Sequence, residues 1–308
     1  MFVFWCLLFG ASAHASSLAD ITEVGIGARP LGMGRAFNSI ADDGSAIFLN
    51  PAGLAGVKKF DVLSMSGNML GEIPYVTLGG AWKTAYGVIG LGYVNASVSG
   101  IREAILVGST PEVTGNEASY GNTTMILSYA NEAKNINYLN NLVFLTERNA
   151  KVGANLKLVN HGFSGGASFE GGTGSGFDLD IGTLIPVNDN VNASFIVRNI
   201  IPGNNVKNDE LPLAVSGGFA YKLAERNLLT AVDAEINNGA FLLHLGAEWN
   251  PADPLLLRAG LDQAANGFNL AFGVGTRFRG FTFDYAYHTY AELSEFSTHF
   301  FSLGYIGE

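Results

Sequence analysis

From Lys59 onward, apolar and polar residues alternate with a period of two, and turn residues interrupt the alternation about every 15–20 positions. In Phe241–Trp249, for example, apolar side chains at the odd positions alternate with His244, Gly246 and Glu248. Successive side chains of a strand point to opposite faces, so each segment has an apolar face and a face that carries Asp, Glu, Arg and Gly. This pattern predicts an all-β fold, a transmembrane antiparallel β-barrel.

Turn signals such as Asn237-Asn238-Gly239 and Asn266-Gly267 separate about fourteen candidate strands, an even number as in bacterial barrels. The strands are predicted to begin near Phe60, Tyr75, Tyr86, Ser119, Asn149, Gly176, Asn190, Leu211, Asn227, Ala240, Leu255, Gly267, Gly280 and Ser297.

Four longer connections are predicted to be surface loops, with the shorter turns at the periplasmic end. They are Ile101–Ala118, Asn131–Arg148, Gly162–Gly176 and Pro202–Glu210. The apolar residues within Asn131–Arg148 fit either a short helix over the barrel mouth or an extension of a strand.

The composition favours a barrel in lipid over a soluble fold. Charged residues make up 14% of the chain, against about 25% in a typical soluble domain. A periplasmic β-sandwich would need polar outer faces, whereas one face of these strands stays apolar. No segment has the 18 apolar residues of a membrane helix, and lipid does not tolerate an open sheet edge. The net charge of −10 argues against nucleic-acid binding.

The first fifteen residues predict a secretory signal peptide at positions 1–15. An apolar run is followed by Ala13-His14-Ala15, a cleavage-site pattern. A buried N-terminal strand is the alternative, and the lack of Lys or Arg at the start suggests a start codon further upstream. The single cysteine, Cys6, lies in this segment, so the exported chain would have no disulfide or thiol chemistry.

One stretch after the leader has the sequence pattern of neither a strand nor a turn. Gly25–Gly56 is dense in Gly and Ala, carries Asp42-Asp43 and ends in an Asn50-Pro51-Ala52 turn signal. A short segment of this kind ahead of a barrel predicts a plug. The chain is therefore divided into a leader (1–15), a hatch (16–57) and a barrel (58–308).

The stretch GARPLGMGRAFNSIADDGSAIFLNPAGLAG resembles the N-terminal signature of the FadL superfamily of outer-membrane proteins, especially its PorV/PorQ-like branch. That signature has Gly-Ala-Arg, Leu-Gly-Met-Gly, Ala-Asp-Asp and Asn-Pro-Ala-Gly-Leu. Shorter matching pieces follow in the second half of the chain: VGANLKLV, GFDLDIGTL, LGAEW, LRAGL and FDYAYHTYAELSEFSTHFFSLGY.

The resemblance implies a fourteen-stranded barrel in the outer membrane of a Gram-negative-type bacterium, with the hatch folded inside. In FadL-like members, the hatch and a lateral opening pass hydrophobic small molecules toward the lipid. In PorV-like members, the barrel acts in type IX secretion and attaches cargo to the surface. The hatch or ligand-path residues carried over are Leu31, Gly32, Met33, Gly34, Asp42, Asp43, Asn50, Pro51 and Ala52.

The sequence departs from the family in two ways. The chain is short for either branch, and the surface loops look reduced. The C-terminal Gly304–Glu308 also lacks the terminal aromatic residue that many barrels present to their assembly machinery.

Three functions follow as expectations: passage of small hydrophobic molecules, a shuttle for secreted cargo, or a sealed structural barrel. The expected partners are outer-membrane lipid, the barrel-assembly machinery, and either a hydrophobic small molecule or a cargo protein. The hatch is expected to act as a moving gate or as a static plug, since Gly lets backbone pack closely in a lumen.

The lumen face carries charges of both signs, which predicts a salt-bridged filling rather than a selective ion path. These residues are Asp178, Asp180, Arg198, Asp233, Glu235, Glu248, Arg258, Asp262, Arg277 and Asp284. Asp42-Asp43 is expected to face one of the arginines 198, 258 or 277, or else to cap a helix or lie in a solvated turn.

No catalytic motif is recognisable, so no enzyme activity, cofactor or metal is predicted. The histidines show no H-E-x-x-H spacing, the run Gly171–Gly176 lacks the Gly-Lys-Ser/Thr of a phosphate-binding loop, and no G-x-S-x-G occurs. Trp82, Tyr86, Trp249, Tyr285, Tyr287 and Tyr290 fit the aromatic girdles of a membrane barrel.

Overall fold

The structure is a computed structural model that describes residues 21, 27–69, 73–139, 141–165, 173–202, 205–206, 209–264, 267–291 and 297–307. The predicted signal peptide and the beginning of the predicted hatch, apart from Ile21, lie outside the described residues.

Fourteen strands form a closed barrel in which every neighbouring pair is antiparallel, and Phe60 of β1 pairs with Gly307 of β16 to close it. The strands are β1 (Phe60–Met69), β2 (Ile73–Thr84), β3 (Gly87–Val107), β4 (Thr110–Glu132), β5 (Lys151–Ser164), β6 (Gly174–Asn188), β7 (Val191–Arg198), β10 (Ala214–Leu223), β11 (Leu228–Asn237), β12 (Ala240–Ala252), β13 (Leu255–Ala264), β14 (Gly267–Phe278), β15 (Phe281–Thr289) and β16 (Ser297–Gly307). Two short strands, β8 (Asn205–Val206) and β9 (Asp209–Glu210), pair with each other between β7 and β10. The prediction of a fourteen-stranded barrel is confirmed.

The period of two decides which side chains face the lumen. In β12, Phe241 is 59% and Trp249 48% exposed on the outer face, whereas His244 and Glu248 are buried in the lumen. The outer face of the other strands is likewise apolar, the pattern of a barrel whose outer wall contacts lipid.

The connections alternate between the two ends of the barrel. We call the end where β1 begins and β16 finishes the terminal end, and the opposite one the loop end. Strand β1 runs from the terminal end to the loop end, and each following barrel strand runs in the direction opposite to the one before it. Strand β4 therefore runs toward the terminal end, and the connection from β4 to β5 lies there.

The expectation that Asn131–Arg148 belongs with the surface loops is therefore wrong, since it lies at the opposite end from the other three. It forms two 3-10 turns, Ala133–Asn135 and Asn137–Leu139, and the helix α3 (Val143–Thr146). The short-helix alternative is the one observed, with Leu145 buried against Ala133 and Ala150.

The expectation of a loop at Ile101–Ala118 is also wrong. Strands β3 and β4 remain paired out to Val107 and Thr110, and Gly108, at φ 67°, makes the turn. The β-branched residues of this segment favour strand over loop. The strand predicted to begin near Ser119 therefore begins at Thr110, and the other predicted strand starts lie within three residues of an observed start.

Residues 27–57 lie inside the barrel. They form the helix α1 (Ala28–Gly32), the helix α2 (Ala46–Leu49) and a 3-10 turn at Pro51–Gly56, and nearly all of them are buried. Within the part of the chain that the structure describes, no helix has the length and hydropathy needed to cross a bilayer.

Candidate functional site

Glycine residues allow the hatch backbone to lie directly on the barrel wall. A Cβ atom added to Gly260 of β13 would lie 2.2 Å from the nitrogen of Gly34, and one added to Gly153 of β5 would lie 2.4 Å from the carbonyl carbon of Pro51. Real Cβ atoms do not approach other atoms this closely, so the wall must be glycine at these contacts.

The two predicted hatch motifs contact different parts of the wall. Leu31–Gly34 lies against β12, β13 and β14, where Gly246 and Gly260 meet the backbone of Met33. Asn50–Ala52 lies against β5 and β6, where a Cβ on Gly182 would be 2.2 Å from Asn50 Oδ1. The structure thus places all of these residues in the lumen, but it does not join the two motifs into one pocket.

Asn50 fixes the end of the hatch through every polar atom of its side chain. Its Nδ2 donates to the carbonyl oxygens of Asn38 (2.8 Å) and Thr183 (3.1 Å). Its Oδ1 accepts from the backbone N–H of Ala52 at 3.1 Å, which caps the 3-10 turn that begins at Pro51.

Arg29 of α1 is the hub of an ion network that joins the hatch to the wall. Its Nε donates to Glu248 Oε2 (2.7 Å) and its Nη2 to Glu248 Oε1 (2.9 Å), a bidentate pair. Its Nη1 pairs with Asp42 and with Asp43 Oδ2, the latter at 2.8 Å. Sequence reasoning placed Arg29 in the Gly-Ala-Arg piece of the signature but predicted no role or partner for it.

The acidic pair of the hatch therefore meets Arg29 rather than any of the three expected arginines. Asp43 also accepts from the backbone N–H of Ser45 at 3.0 Å, in the turn that precedes α2. Burial raises the pKa of the Asp43 carboxyl, but the Arg29 guanidinium and the Ser45 hydrogen bonds outweigh it and hold this pKa below its usual value.

The network continues along the wall. Glu248 Oε2 also accepts from Arg258 Nε at 2.7 Å, and Arg258 Nη1 lies 2.7 Å from Asp284 Oδ1. These predicted lumen charges form the expected salt-bridged filling. Arg277, predicted with them, lies exposed near the terminal end of β14.

Two further wall residues hold the hatch backbone. Asp233 Oδ2 accepts from the backbone N–H groups of Phe37 and Asn38, both at 2.8 Å. Arg198 Nη2 donates to the carbonyl oxygen of Leu49 at 3.0 Å, while its Nη1 pairs with Glu235 at 2.8 Å. Charged side chains of the wall thus bind the hatch backbone at Phe37, Asn38 and Leu49, which are themselves uncharged residues.

Asp178 and Asp180 act on a different segment, the connection that follows β7. Asp180 Oδ1 accepts from the backbone N–H of Asn199 at 3.1 Å, and Asp178 Oδ1 from that of Ile201 at 3.0 Å. The fully buried Lys157 lies 2.9 Å from Asp180 Oδ1. These charges tie the connection to the lumen wall.

A second polar cluster surrounds Asp262 of β13. His244 Nδ1 lies 2.8 Å from Oδ1, His288 Nε2 lies 3.3 Å from Oδ2, and Arg35 of the hatch lies 3.9 Å from Oδ1. Among the described residues, no group of three or more His, Cys, Asp or Glu is arranged to hold a metal ion.

The opposite side of the lumen, toward β1–β4 and β16, carries an apolar cluster beside buried polar residues such as Asp61, Thr77 and Thr124. Ile47 and Phe48 of α2 pack against Gly79 of β2 and Gly92 of β3, where an added Cβ would lie within 3.3 Å of their side chains. Met65, Tyr75, Val94, Ile126 and Phe300 belong to the same buried cluster. The hatch is therefore ionically anchored on one side and packed through hydrocarbon on the other.

Solved structures share this fold. The Ralstonia pickettii toluene transporter TbuX matches with a TM-score of 0.68 over 92% of this chain and 99% of its own, at 11% identity. The Pseudomonas putida toluene transporter TodX matches with a TM-score of 0.61 over 91% and 96% of the two chains, at 15% identity. A Pseudomonas aeruginosa FadL homologue matches with a TM-score of 0.52 over 90% and 97%, at 12% identity.

No protein-family model matches the sequence, and a search of curated proteins found no relative. The solved structures therefore establish the barrel architecture that the chain shares with FadL-family hydrocarbon transporters. They do not identify the PorV/PorQ-like branch.

Replacing Gly260 by Ala is expected to displace the hatch, because the new methyl group overlaps the backbone at Met33–Gly34. Overpacking of this kind costs about 1–3 kcal/mol. The measurement is the thermal midpoint of the purified barrel, together with proteolysis of residues 27–57. Gly121→Ala is the control, since nothing lies within 4 Å of its Cβ position. Equal behaviour of the two variants would show that the hatch is not seated on Gly260.

Replacing Arg29 by Met is expected to release the hatch from β12, because Glu248, Asp42 and Asp43 lose their shared cation. Removing one partner of a buried pair destabilises by about 3–5 kcal/mol. The readout is ion conductance of the barrel in planar bilayers, which should rise. Arg226→Met, an exposed residue at the β10–β11 turn, should leave conductance unchanged. An Arg29→Met barrel that folds and shows no rise in conductance would contradict this role of Arg29.

Proposed function

We propose that the protein is an outer-membrane barrel that lets small hydrophobic molecules pass, without catalysing a reaction. The observation that carries this proposal is the two-sided seating of the hatch. Its charged contacts lie toward β7 and β10–β15, while Ile47 and Phe48 meet a wall of glycine and apolar side chains at β1–β4. A hydrophobic molecule can follow the second side without displacing an ion pair.

The proposed mechanism has three steps. The molecule enters from the loop end and binds the apolar side of the lumen near α2. The hatch then shifts around Asn50-Pro51-Ala52, so that Ile47 and Phe48 leave the wall. The molecule finally moves toward the lipid past Gly79 and Gly92, and strands β2 and β3 separate there to let it through, because in this structure they are paired without a break from Tyr75 to Thr84. The toluene transporters TbuX and TodX support this proposal through their shared fold.

The first test is mass spectrometry of organic extracts from the purified, folded barrel, combined with uptake of radiolabelled toluene and oleate by cells. We expect a co-purified hydrophobic molecule, together with uptake that depends on the barrel. An empty barrel and uptake equal to that of a deletion strain would contradict the proposal.

Asn50→Ala and Pro51→Gly test the proposed movement. Asn50→Ala removes the three hydrogen bonds that hold the turn, and Pro51→Gly frees the backbone that starts it. We expect uptake of the same probes to change severalfold at normal barrel levels. Thr146→Ala in the exposed connection between β4 and β5 is the control. Unchanged uptake in both hatch variants would show that the hatch is a static plug and not a moving gate.

A second candidate, a PorV/PorQ-like shuttle for secreted proteins, is favoured by the β3–β4 hairpin. Strand β2 pairs with β3 only as far as Ala96, and β5 pairs with β4 only as far as Ser119. Among the described residues, neither edge of the ribbon beyond these points pairs with a further strand, and nothing lies within 4 Å of the Cβ positions of Gly100, Gly108 and Gly115. Open edges of this kind can bind an extended peptide by strand addition.

Shortening this hairpin separates the two functions. Deletion of residues 101–117, closed by a two-residue Asn-Gly turn, should release secreted proteins from the cell surface into the medium if the shuttle is the function. Hydrophobic uptake should remain, because the deleted residues lie beyond the barrel. The comparison is between surface and medium proteomes. No redistribution of any secreted protein would exclude the shuttle.

A further inference from the structure

The two ends of the barrel differ in charge. In the described part of the terminal end, ten basic residues reach the surface in the connections and strand ends: Lys58, Lys59, Lys83, Lys134, Arg148, Lys151, Lys222, Arg226, Arg277 and Arg279. Five acidic residues reach the surface there: Glu132, Glu147, Asp189, Glu225 and Asp253. The β3–β4 hairpin at the loop end has the reverse balance, with Arg102 against Glu103, Glu112 and Glu117. A chain of net charge −10 thus has a basic rim at its terminal end.

The terminal end also carries the shortest connections. Strands β2 and β3, β6 and β7, β12 and β13, and β14 and β15 are each joined there by two residues. Outer-membrane barrels have short turns on the periplasmic side and longer loops on the outside. In the proposed outer-membrane orientation, the basic rim therefore faces the periplasm.

A cavity of about 450 Å³ lies inside this rim, between the hatch and the terminal end of the barrel. Ile40 and Asp42 of the hatch line its inner end, and three cations line its sides, namely Lys151, Lys222 and Arg277. The Asp42 side chain is 53% exposed although it lies in the lumen. The cavity therefore admits water from the terminal end.

The three cations belong to the lumen face of the wall. Each lies two residues along its strand from a buried lumen-facing residue: Gly153, Ala220 and Gly275. Bilayer lipid surrounds the outer face of a barrel, so a lipid headgroup does not meet this face. Within the described residues, none of the three cations has a carboxylate oxygen within 4 Å, whereas Lys134 on the rim pairs with Glu132 at 2.7 Å. The cavity thus has positive charge that the wall does not neutralise by direct pairing.

The separation of the three cations determines the size of a matching ligand. Around the barrel, β5 and β10 are three strand positions apart, and β10 and β14 are four positions apart. These spacings correspond to about 14 and 19 Å along the wall. A single carboxylate or phosphate is much smaller than these separations. A ligand that meets all three cations must carry several negative charges along its length.

The rest of the lining favours an acidic peptide over other polyanions. Four asparagine side chains line the cavity: Asn190, Asn192, Asn227 and Asn250. Their amides can donate to and accept from peptide groups. Leu184, Leu229 and Leu256 add an apolar surface that can contact the side chains of a peptide. A polyphosphate has neither amide groups nor apolar side chains.

We infer that the terminal end binds an acidic segment of a periplasmic protein, with carboxylates of that segment beside Lys151, Lys222 and Arg277. The other cations of the rim attract the partner from a distance and raise its rate of association. The inference goes beyond the proposed passage of hydrophobic molecules. It uses the outer-membrane orientation and does not depend on that passage.

Fluorescence anisotropy with the purified, folded barrel tests this site. The probe is a fluorescein-labelled peptide of alternating Asp and Ala residues, and the matched neutral probe has Asn in place of Asp. Wild type should bind the acidic peptide saturably, and more weakly as the salt concentration rises. It should not bind the neutral peptide. Lys151→Gln/Lys222→Gln/Arg277→Gln should weaken binding of the acidic peptide at least tenfold.

The matched control is Lys59→Gln/Lys83→Gln/Arg226→Gln, which removes three exposed cations of the rim that do not line the cavity. Its net charge changes by the same amount, and binding should weaken less than threefold. Polyphosphate, added as a competitor, should displace the acidic peptide only at a higher concentration than unlabelled peptide.

Three results would overturn the inference. The first is no saturable binding of the acidic peptide by the wild type, or equal binding of the neutral one. The second is equal weakening by the two triple variants in barrels of equal thermal midpoint, which would assign the binding to net charge alone. The third is displacement by polyphosphate at or below the concentration of unlabelled peptide, which would assign the cavity to another class of polyanion.

Discussion

The pairing of Arg29 with Glu248 is the interaction on which the rest of the lumen depends. A fourteen-stranded barrel encloses more space than its own side chains fill, and here the hatch fills it. Carrying an arginine and two aspartates into that space costs solvation unless each charge finds a partner. Glu248 meets this need on the wall, and Asp42 and Asp43 meet it within the hatch. Arg258 and Asp284 extend the same balance to β13 and β15.

This arrangement makes the lumen asymmetric. Charged wall residues hold the hatch from β7 and β10–β15, partly by side-chain pairs and partly by bonds to its backbone at Phe37 and Leu49. On the side of β1–β4 and β16, α2 makes contacts between hydrocarbon groups, and polar bonds to this side run from the N–H of Ala28 to Ser302 Oγ and from the Tyr75 hydroxyl to the carbonyl oxygen of Ile21. Hydrocarbon contacts have no fixed direction, so this side can rearrange at a lower free energy than the ionic side. Passage of a hydrophobic molecule along the apolar side would leave the ionic contacts on the opposite side intact.

Much of the barrel follows from sequence because strand periodicity is local. Apolar and polar residues alternate from Phe177 to Ile185, and Asp178 and Asp180 lie on the lumen face of the strand, as that alternation predicts. The end at which a connection lies is not local, since it depends on counting every preceding strand. The Asn131–Arg148 prediction failed for that reason. The partner of Asp42 and Asp43 was missed because Arg29 reaches them only after the chain turns back on itself inside the lumen.

The central claim is that the hatch stays fixed on its ionic side and moves on its apolar side. Two disulfide tethers, in a Cys6→Ser background, test it directly. Ile47→Cys/Gly92→Cys would join α2 to β3, and Ser39→Cys/Ser194→Cys would join the hatch to β7, where the two hydroxyl oxygens lie 2.8 Å apart. The measurement is uptake of radiolabelled toluene under oxidising and reducing conditions. The account predicts that oxidation stops uptake only with the first tether and that reduction restores it. Uptake that continues with the first tether closed, or stops with the second, would contradict it.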